Sequence, residues 1–164
     1  MAPRSRDLAT QLEVFNERLI DFLHGLEPDK WDCLVPWEGF PVRAIASHIA
    51  GPRHYGLVEV VRQFLADGEV PQIDQGPVLT LANRDMAART EASPIIVLDE
   101  LRRSGAEAVR YIATLSDEQL EASHRFPRHS DPISVAQFIE WILIGSSVEH
   151  LENMKRAVSN ADPG

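Results

Sequence analysis

The sequence predicts an all-α protein, a four-helix bundle with long connections and one or two short extra helices. In four long stretches the apolar residues recur every three or four positions, which is the spacing of one helix face. Prolines suited to a first helical turn stand at the starts of later stretches, as in Ser93-Pro94. No stretch of useful length alternates apolar and polar residues as a half-buried strand does. We therefore expect a single helical domain over residues 1–164, with its core over about 7–158.

The first stretch predicts an amphipathic helix that ends near Gly25 and Pro28, since both residue types stop helices. Its apolar stripe consists of Leu8, Leu12, Phe15, Leu19, Phe22, Leu23 and Leu26. Residues 27–40 follow, with two prolines, one glycine and three bulky aromatic side chains. We expect this segment to be an ordered loop that its own side chains pin in place.

A second helix is predicted over residues 41–66, because Pro41 suits a first turn, where a missing N–H costs nothing. Pro52 lies inside this stretch and removes a backbone hydrogen bond. The sequence therefore predicts a kink over residues 49–52.

The next segments are a polar connection over residues 68–77 and a short helical segment around residues 79–90. Ser93-Pro94 then provides a cap and a first-turn proline for a third long helix, which is expected to end near Ser116. A capping-box pattern begins at that serine and predicts one further helical turn.

Residues 121–130 contain two histidines and a proline without any period, so the sequence predicts a loop there. Asp131-Pro132 repeats the signal of a cap followed by a proline. It predicts a last long helix over residues 133–158.

Composition limits the classes of partner. The net charge of -9 is spread along the chain, so most of the surface would repel a phosphate backbone, and nucleic-acid binding is not expected. The longest apolar run, residues 141–144, is far too short to cross a membrane, and the N-terminus has no apolar stretch of the signal-peptide kind. Cys33 is the one cysteine, which is typical of a reducing compartment. We expect a cytoplasmic protein without membrane contact.

Two of the six histidines stand in apolar helical surroundings. His48 lies in a stretch of alanines and isoleucines, and His150 lies in the middle of the last predicted helix. A buried imidazole needs partners for both nitrogens. Taken alone, each is better explained as a satisfied core or surface histidine. Together they suggest a common centre, because burying a polar ring without a partner costs a few kcal/mol.

The segment over residues 37–51 resembles the DinB-like metalloenzymes, a family that includes the thiol-dependent maleylpyruvate isomerases. It has a loop aromatic, a Val42-Arg43 helix start and a histidine, His48, in an apolar setting that ends in glycine. Residues 83–85 and the stretch that ends in Ser-Asp-Glu are similar to the middle segment of the family. The resemblance spans most of the chain and implies a bundle of the DinB-like type.

The resemblance also implies a metal site. His48 falls on the first ligand position of the family, and the last helix usually supplies two further ligands four residues apart. Here the later position is His150 and the earlier one is Ser146, whose neutral hydroxyl is a poor ligand for a transition metal. His54 and Glu149 are weak substitutes, and a water held by Ser146 is a third. We expect weak or partial occupancy by zinc or nickel.

Two functions stay open from the sequence. The first is a metal-dependent enzyme, a transferase, isomerase or hydrolase that acts on a small electrophilic substrate, with a low-molecular-weight thiol in the family's thiol-dependent reactions. The alternative is a metal-free module on the same bundle that binds a small molecule or has a protective role. Whether the chain is an enzyme is therefore undecided at this point, and fold resemblance does not choose between the two.

Two further expectations concern the second helix. Tyr55 follows His48 by seven residues and so lies on nearly the same face of a regular helix, where its hydroxyl could contact a substrate, although a core tyrosine explains it too. The apolar residues of the second helix extend beyond one face and include Val58, Val61 and Phe64. Together with the dimers common in the DinB-like family, they predict a homodimer. The alternative is that these residues pack within one bundle.

Overall fold

The computed structural model describes residues 3–69, 83–126 and 129–162. In these ranges the chain is mostly helical, as predicted. The helices are α1 (Pro3–His24), α2 (Val42–His48), α3 (Val58–Asp67), α4 (Pro94–Ala113), α5 (Asp117–Glu121), α6 (Val135–Gln137) and α7 (Ser146–Ala161). The chain also contains two π-helices, π1 (Ile49–Leu57) and π2 (Phe138–Gly145), and a 3₁₀-helix (Pro28–Asp32).

Helix α1 packs along α4, and this contact forms a large part of the core. Leu12 and Leu19 of α1 are completely buried, as is nearly all of Leu101 in α4. The side chain of Asn16 in α1 lies against Gly105 of α4, where a Cβ atom would stand 2.6 Å from Nδ2 of Asn16. Only a glycine fits this crossing without a shift of its neighbour.

The second helix is continuous from α2 through π1 to α3, close to the predicted range. The predicted interruption at Pro52 is present as π-helix rather than as a break, and it extends from Ile49 to Leu57. A π-helix bonds each residue to the fifth one along, so its turns are wider than those of an α-helix. Every side chain after Pro52 is therefore rotated away from the position that a regular helix would give it.

The last helix begins two residues later than predicted. Ile133 and Ser134 form a short strand, β4, which pairs antiparallel with β3 (Ser123–His124). Ser134 is the N-cap: its Oγ accepts from the backbone N–H of Gln137, whose Oε1 accepts from the backbone N–H of Ser134. This capping box, and not Asp131-Pro132, starts the helix.

The segment over residues 27–40 is ordered, as expected, but it is more regular than a loop. After the 3₁₀-helix it forms a hairpin of β1 (Leu34–Val35) and β2 (Phe40–Pro41). Gly39 takes a φ of 78° in the turn, which favours glycine. Trp31 is buried and anchors the segment to the core.

The segment over residues 121–130, predicted as a loop, contains the end of α5 and the strand β3, which pairs with β4, whereas other connections agree with the sequence where the structure describes them. Residues 83–88 are helical, and the predicted capping box at Ser116 is present at the start of α5. The predicted connection from residue 70 onward and the start of the short helix, up to residue 82, lie outside the described residues. In the described part of the chain, no helix combines the length and the apolar character needed to cross a membrane.

The residues that suggested a homodimer, Val58, Val61 and Phe64, pack against other residues of the same chain. Val58 and Val61 belong to the buried core, and the ring of Phe64 packs edge-on against Phe126 at 5.2 Å between centroids. They therefore do not support a dimer, which stays a prediction without this argument.

Candidate functional site

A polar pocket of about 270 Å³ opens where the β1–β2 hairpin, α2, the helical segment at 83–88 and α7 meet. These elements come from distant parts of the sequence, and each contributes polar side chains. The lining residues are Trp37, Glu38, His48, Arg53, Asn83, Met86, Ser146, Glu149, His150 and Asn153.

The two predicted histidines meet in this pocket. The ring centroids of His48 and His150 are 6.0 Å apart, and the ring planes are inclined by 80°. Both rings line this pocket, although about a hundred residues separate them in sequence. Their role toward a metal ion is a separate question, which depends on the other groups in the pocket.

His48 is held by a carboxylate behind it. Its Nδ1–H donates to Oδ2 of Asp85 at 2.9 Å, and only 5% of the residue is exposed. A carboxylate has no proton to give, so Nδ1 carries the hydrogen and Nε2 has a free lone pair. Burial lowers the pKa of His48 to about 4, with the hydrogen bond to Asp85 opposing it and the charge of Arg53 acting in the same direction. The ring is neutral at neutral pH.

Asp85 is itself held in place. Arg89 donates from Nε to Oδ2 of Asp85 at 2.7 Å, and from Nη1 to Oγ of Ser47 at 2.9 Å. The guanidinium thus connects the helical segment at 83–88 with α2, next to His48. A Cβ atom at Gly51 would stand 3.1 Å from the guanidinium, so this glycine leaves room for it. The arrangement fixes the carboxylate that orients His48.

His150 has the same kind of partner on the opposite wall. Its Nδ1–H lies 2.6 Å and 2.8 Å from the two carboxylate oxygens of Glu38, and Nδ2 of Asn153 donates to Oε1 of Glu38 at 3.0 Å. Burial would raise the pKa of Glu38, but the hydrogen bonds from His150 and Asn153 and the nearby positive charge of Arg53 lower it overall. Glu38 is therefore a carboxylate at neutral pH.

Arg53 supplies buried positive charge beside the two histidines. It is 3% exposed, and its Nη1 donates to the carbonyl oxygen of Ile142 in π2 at 2.7 Å. That carbonyl lies in a π-helix, where the backbone bonding pattern is displaced from the α-helical one. The guanidinium thereby joins the two π-helices at the floor of the pocket.

Two of the other predicted site residues line the pocket and two do not. Ser146 and Glu149 belong to the lining, with Glu149 exposed at the rim. His54 and Tyr55 line a different cavity, between π1 and α4. The prediction for Tyr55 assumed a regular helix after His48, whereas the wider turns of π1 carry its side chain elsewhere. His54 does not reach the pocket as a substitute ligand, and its Nδ1 is bonded to Ser104 instead.

The residues present do not fit a metal centre with three protein ligands. Among residues 3–69, 83–126 and 129–162, Nε2 of His48 and Nε2 of His150 have no hydrogen-bond partner, and the carboxylates behind the two rings resemble the outer partners of metal-bound histidines. The third position holds Ser146, whose hydroxyl is a weak ligand. Within the described ranges, no group of three or more histidine, cysteine, aspartate or glutamate side chains is arranged to hold an ion.

Sequence reasoning missed Glu38, Asp85 and Asn153. Glu38 and Asp85 fall in the segments that carry the family resemblance, so their positions were noticed but their roles were not. Neither lies in a stretch with helical periodicity. Glu38 contacts His150 across a sequence separation of 112 residues, and Asp85 contacts His48 across a separation of 37 residues. The available signal was chemical: two buried histidines require acceptors for their N–H groups.

Comparisons with family models, curated proteins and solved structures find no match to this chain. The function is therefore argued from the site itself.

Proposed function

We propose that the chain is a DinB-like four-helix bundle enzyme that binds a small polar electrophile between His48 and His150 and transfers protons to and from it. The observation that carries the proposal is the pair of imidazoles, with ring centroids 6.0 Å apart, each with a carboxylate on Nδ1 and with no hydrogen bond on Nε2 from the described residues. Two oriented histidines in one cleft can serve as the general acid and the general base of a reaction.

The pocket suits a small, polar substrate. Its volume of about 270 Å³ admits a molecule of fragment size, and the amides of Asn83 and Asn153 offer hydrogen bonds without adding charge. Trp37 is half exposed and stacks under the guanidinium of Arg156, 3.7 Å from the ring centroid. This contact fixes Trp37, which is part of the pocket lining.

The two histidines have different tasks. His48 is neutral, so its Nε2 can accept the proton of a thiol or water as that nucleophile forms a bond to the electrophilic carbon. Asp85 stabilises the imidazolium that results, as the aspartate of a Ser-His-Asp triad does. The Glu38 carboxylate stabilises an imidazolium at His150, and in that form Nε2–H of His150 returns a proton to the atom that receives the displaced electron pair. The two rings then exchange protons with solvent, and the cycle closes.

A metal-dependent form of the same activity is the second candidate. One observation favours it: both histidines donate Nδ1–H to a carboxylate, which is the usual outer arrangement of histidine ligands. The hydroxyl at Ser146 weighs against it, because catalytic zinc sites generally have three strong protein ligands. The acid–base mechanism requires no metal ligand beyond the histidine and carboxylate side chains already described.

The test is a turnover assay with small α,β-unsaturated acids and epoxides, each offered with cysteine, with glutathione and without a thiol. We expect turnover of at least one pair after treatment with a chelator. Because Asp85 orients the base, Asp85→Asn should lower kcat/KM by a factor of about 100 to 10,000. Glu152→Gln, a change of an exposed carboxylate on the same helix that is not among the lining residues, is the matched control and should have little effect.

Two results would reject the acid–base proposal. One is turnover that Asp85→Asn and His48→Gln leave unchanged. The other is saturable binding of these compounds without any turnover, which would favour the metal-free binding module. Turnover that disappears with the chelator and returns with zinc or nickel would favour the metal-dependent candidate.

A further inference from the structure

A second cavity lies on the other side of π1, between that helix, α3 and α4. Its volume is about 300 Å³, and its walls include His54, Tyr55, Ser104 and Ala108. In the part of the chain that the structure describes, it shares no lining residue with the His48–His150 pocket. The mechanism above uses none of its side chains.

His54 is the unusual group in this cavity. The residue is 1% exposed, and its Nδ1 is 2.9 Å from Oγ of Ser104. Its Nε2 is buried and has no hydrogen-bond partner among residues 3–69, 83–126 and 129–162. A buried polar atom without a hydrogen-bond partner destabilises the folded state, so it calls for a partner.

The bond to Ser104 indicates which partner is needed. If Nδ1–H donated to Ser104, both the serine O–H and the lone pair on Nε2 would lack partners among the described residues. If the serine hydroxyl donates to Nδ1, only one group is left, the Nε2–H. The second arrangement leaves fewer buried groups unsatisfied and makes His54 a hydrogen-bond donor.

The ring is neutral in this environment. Burial lowers the pKa of His54 to about 4, and the charge of the neighbouring Arg53 acts in the same direction. A neutral donor has no preference for an anion, so the charges around it decide. Glu59 and Glu107 line the cavity against one cation, Arg62, which already contacts Glu59 at 3.8 Å and the ring of Tyr111 at 4.5 Å from its centroid. An anionic ligand would meet this acidic rim.

We propose that this cavity binds a small uncharged molecule with an apolar body and a carbonyl-type acceptor, which accepts a hydrogen bond from Nε2–H of His54. Val58 and Ala108 form apolar parts of the cavity wall. Tyr55, which is 43% exposed, lies at the mouth of the cavity. The site that the sequence assigned to Tyr55 is thus placed in this second cavity. The proposal does not depend on the acid–base function of the first pocket.

The test uses acetophenone and ethylbenzene, which share an aromatic ring but differ in the carbonyl acceptor. Each is titrated into ¹⁵N-histidine-labelled full-length protein, and the Nε2 and Nδ1 signals of all histidines are followed by long-range ¹H–¹⁵N correlation. We expect Nε2 of His54 to be protonated and to shift on saturation with acetophenone, while His48 does not move. Acetophenone should bind about tenfold more tightly than ethylbenzene, the effect of one hydrogen bond.

Two variants keep the test decisive. Ser104→Ala removes the donor that fixes the tautomer, so the preference for acetophenone should decrease by about tenfold. His54→Phe removes the hydrogen bond and keeps an aromatic ring, so the two probes should bind equally if that variant folds. Equal affinities in the unmodified protein would overturn the proposal. So would an unprotonated Nε2, or a His54 signal that neither probe moves, which would indicate that an internal water satisfies the ring.

Discussion

Ser146→His is expected to increase zinc affinity by a factor of about 100 or more. Residue 146 precedes His150 by four positions in α7, so the two side chains lie on adjacent turns of one helix face. Ser146 lines the same pocket as the two histidines. The substitution therefore adds a third imidazole where the unmodified chain has a weak ligand. Isothermal titration of chelator-treated protein with zinc measures the difference.

Glu152→His is the matched control for this substitution. It adds a histidine to the same helix, but residue 152 lies outside the pocket and lines a groove beside α1. Its zinc affinity should stay close to that of the unmodified protein. Equal affinities for Ser146→His and Glu152→His would contradict the geometry described here. Tight one-to-one zinc binding by the unmodified protein would show that a third ligand exists which the donor set above does not include.

Acid is expected to destabilise the protein well above the pH at which carboxylates are protonated. His54 has a pKa of about 4 in the folded protein, against about 6.5 in the unfolded chain. Between these values the unfolded state binds more protons, so the contribution of His54 is present above pH 6.5 and is lost as the pH falls toward 4. This group alone should lower the free energy of unfolding by about 3 kcal/mol over that range.

The other shifted groups near the pocket act in the same direction. The pKa values of His48 and Glu38 are also lowered in the folded protein, so each contribution is lost as the pH falls. Urea unfolding of chelator-treated protein at intervals between pH 7 and pH 4 measures the sum. His54→Gln keeps a polar side chain that does not titrate and should remove the His54 share of the slope. A free energy of unfolding that is constant from pH 7 to pH 5 would contradict the burial of neutral histidines.

The helices could be predicted because their signals are local. The stripe of α1, the Ser93-Pro94 start and the capping box at Ser116 each involve residues within one or two turns of one another. The start of the last helix was misplaced for a local reason as well. Ser134 and Gln137 form a capping box, which starts the helix in place of the predicted cap at Asp131-Pro132. In addition, Ile133 pairs with His124 in a hairpin, which holds the chain extended until that point.

The site could be predicted only in part. A histidine in an apolar helix is visible in a sequence, so His48 and His150 were found. Their acceptors, Glu38 and Asp85, lie in a hairpin turn and a short helix whose placement depends on tertiary packing. Tyr55 was misplaced because helical periodicity was extended through Pro52, although the backbone becomes a π-helix there. A sequence indicates that a proline perturbs a helix, but not how many residues the wider turn includes.

The central claim is that two carboxylates hold His48 and His150 with their free nitrogens toward one pocket. Long-range ¹H–¹⁵N correlation on ¹⁵N-histidine-labelled, chelator-treated protein at pH 7 tests it directly, because it reports which ring nitrogens carry hydrogen. We expect Nδ1 to be protonated in both rings and Nε2 of His48 to be bare, with the Nδ1 signals changed by Asp85→Asn and Glu38→Gln respectively. An unprotonated Nδ1 on either ring, or signals that these two substitutions leave unchanged, would contradict the account.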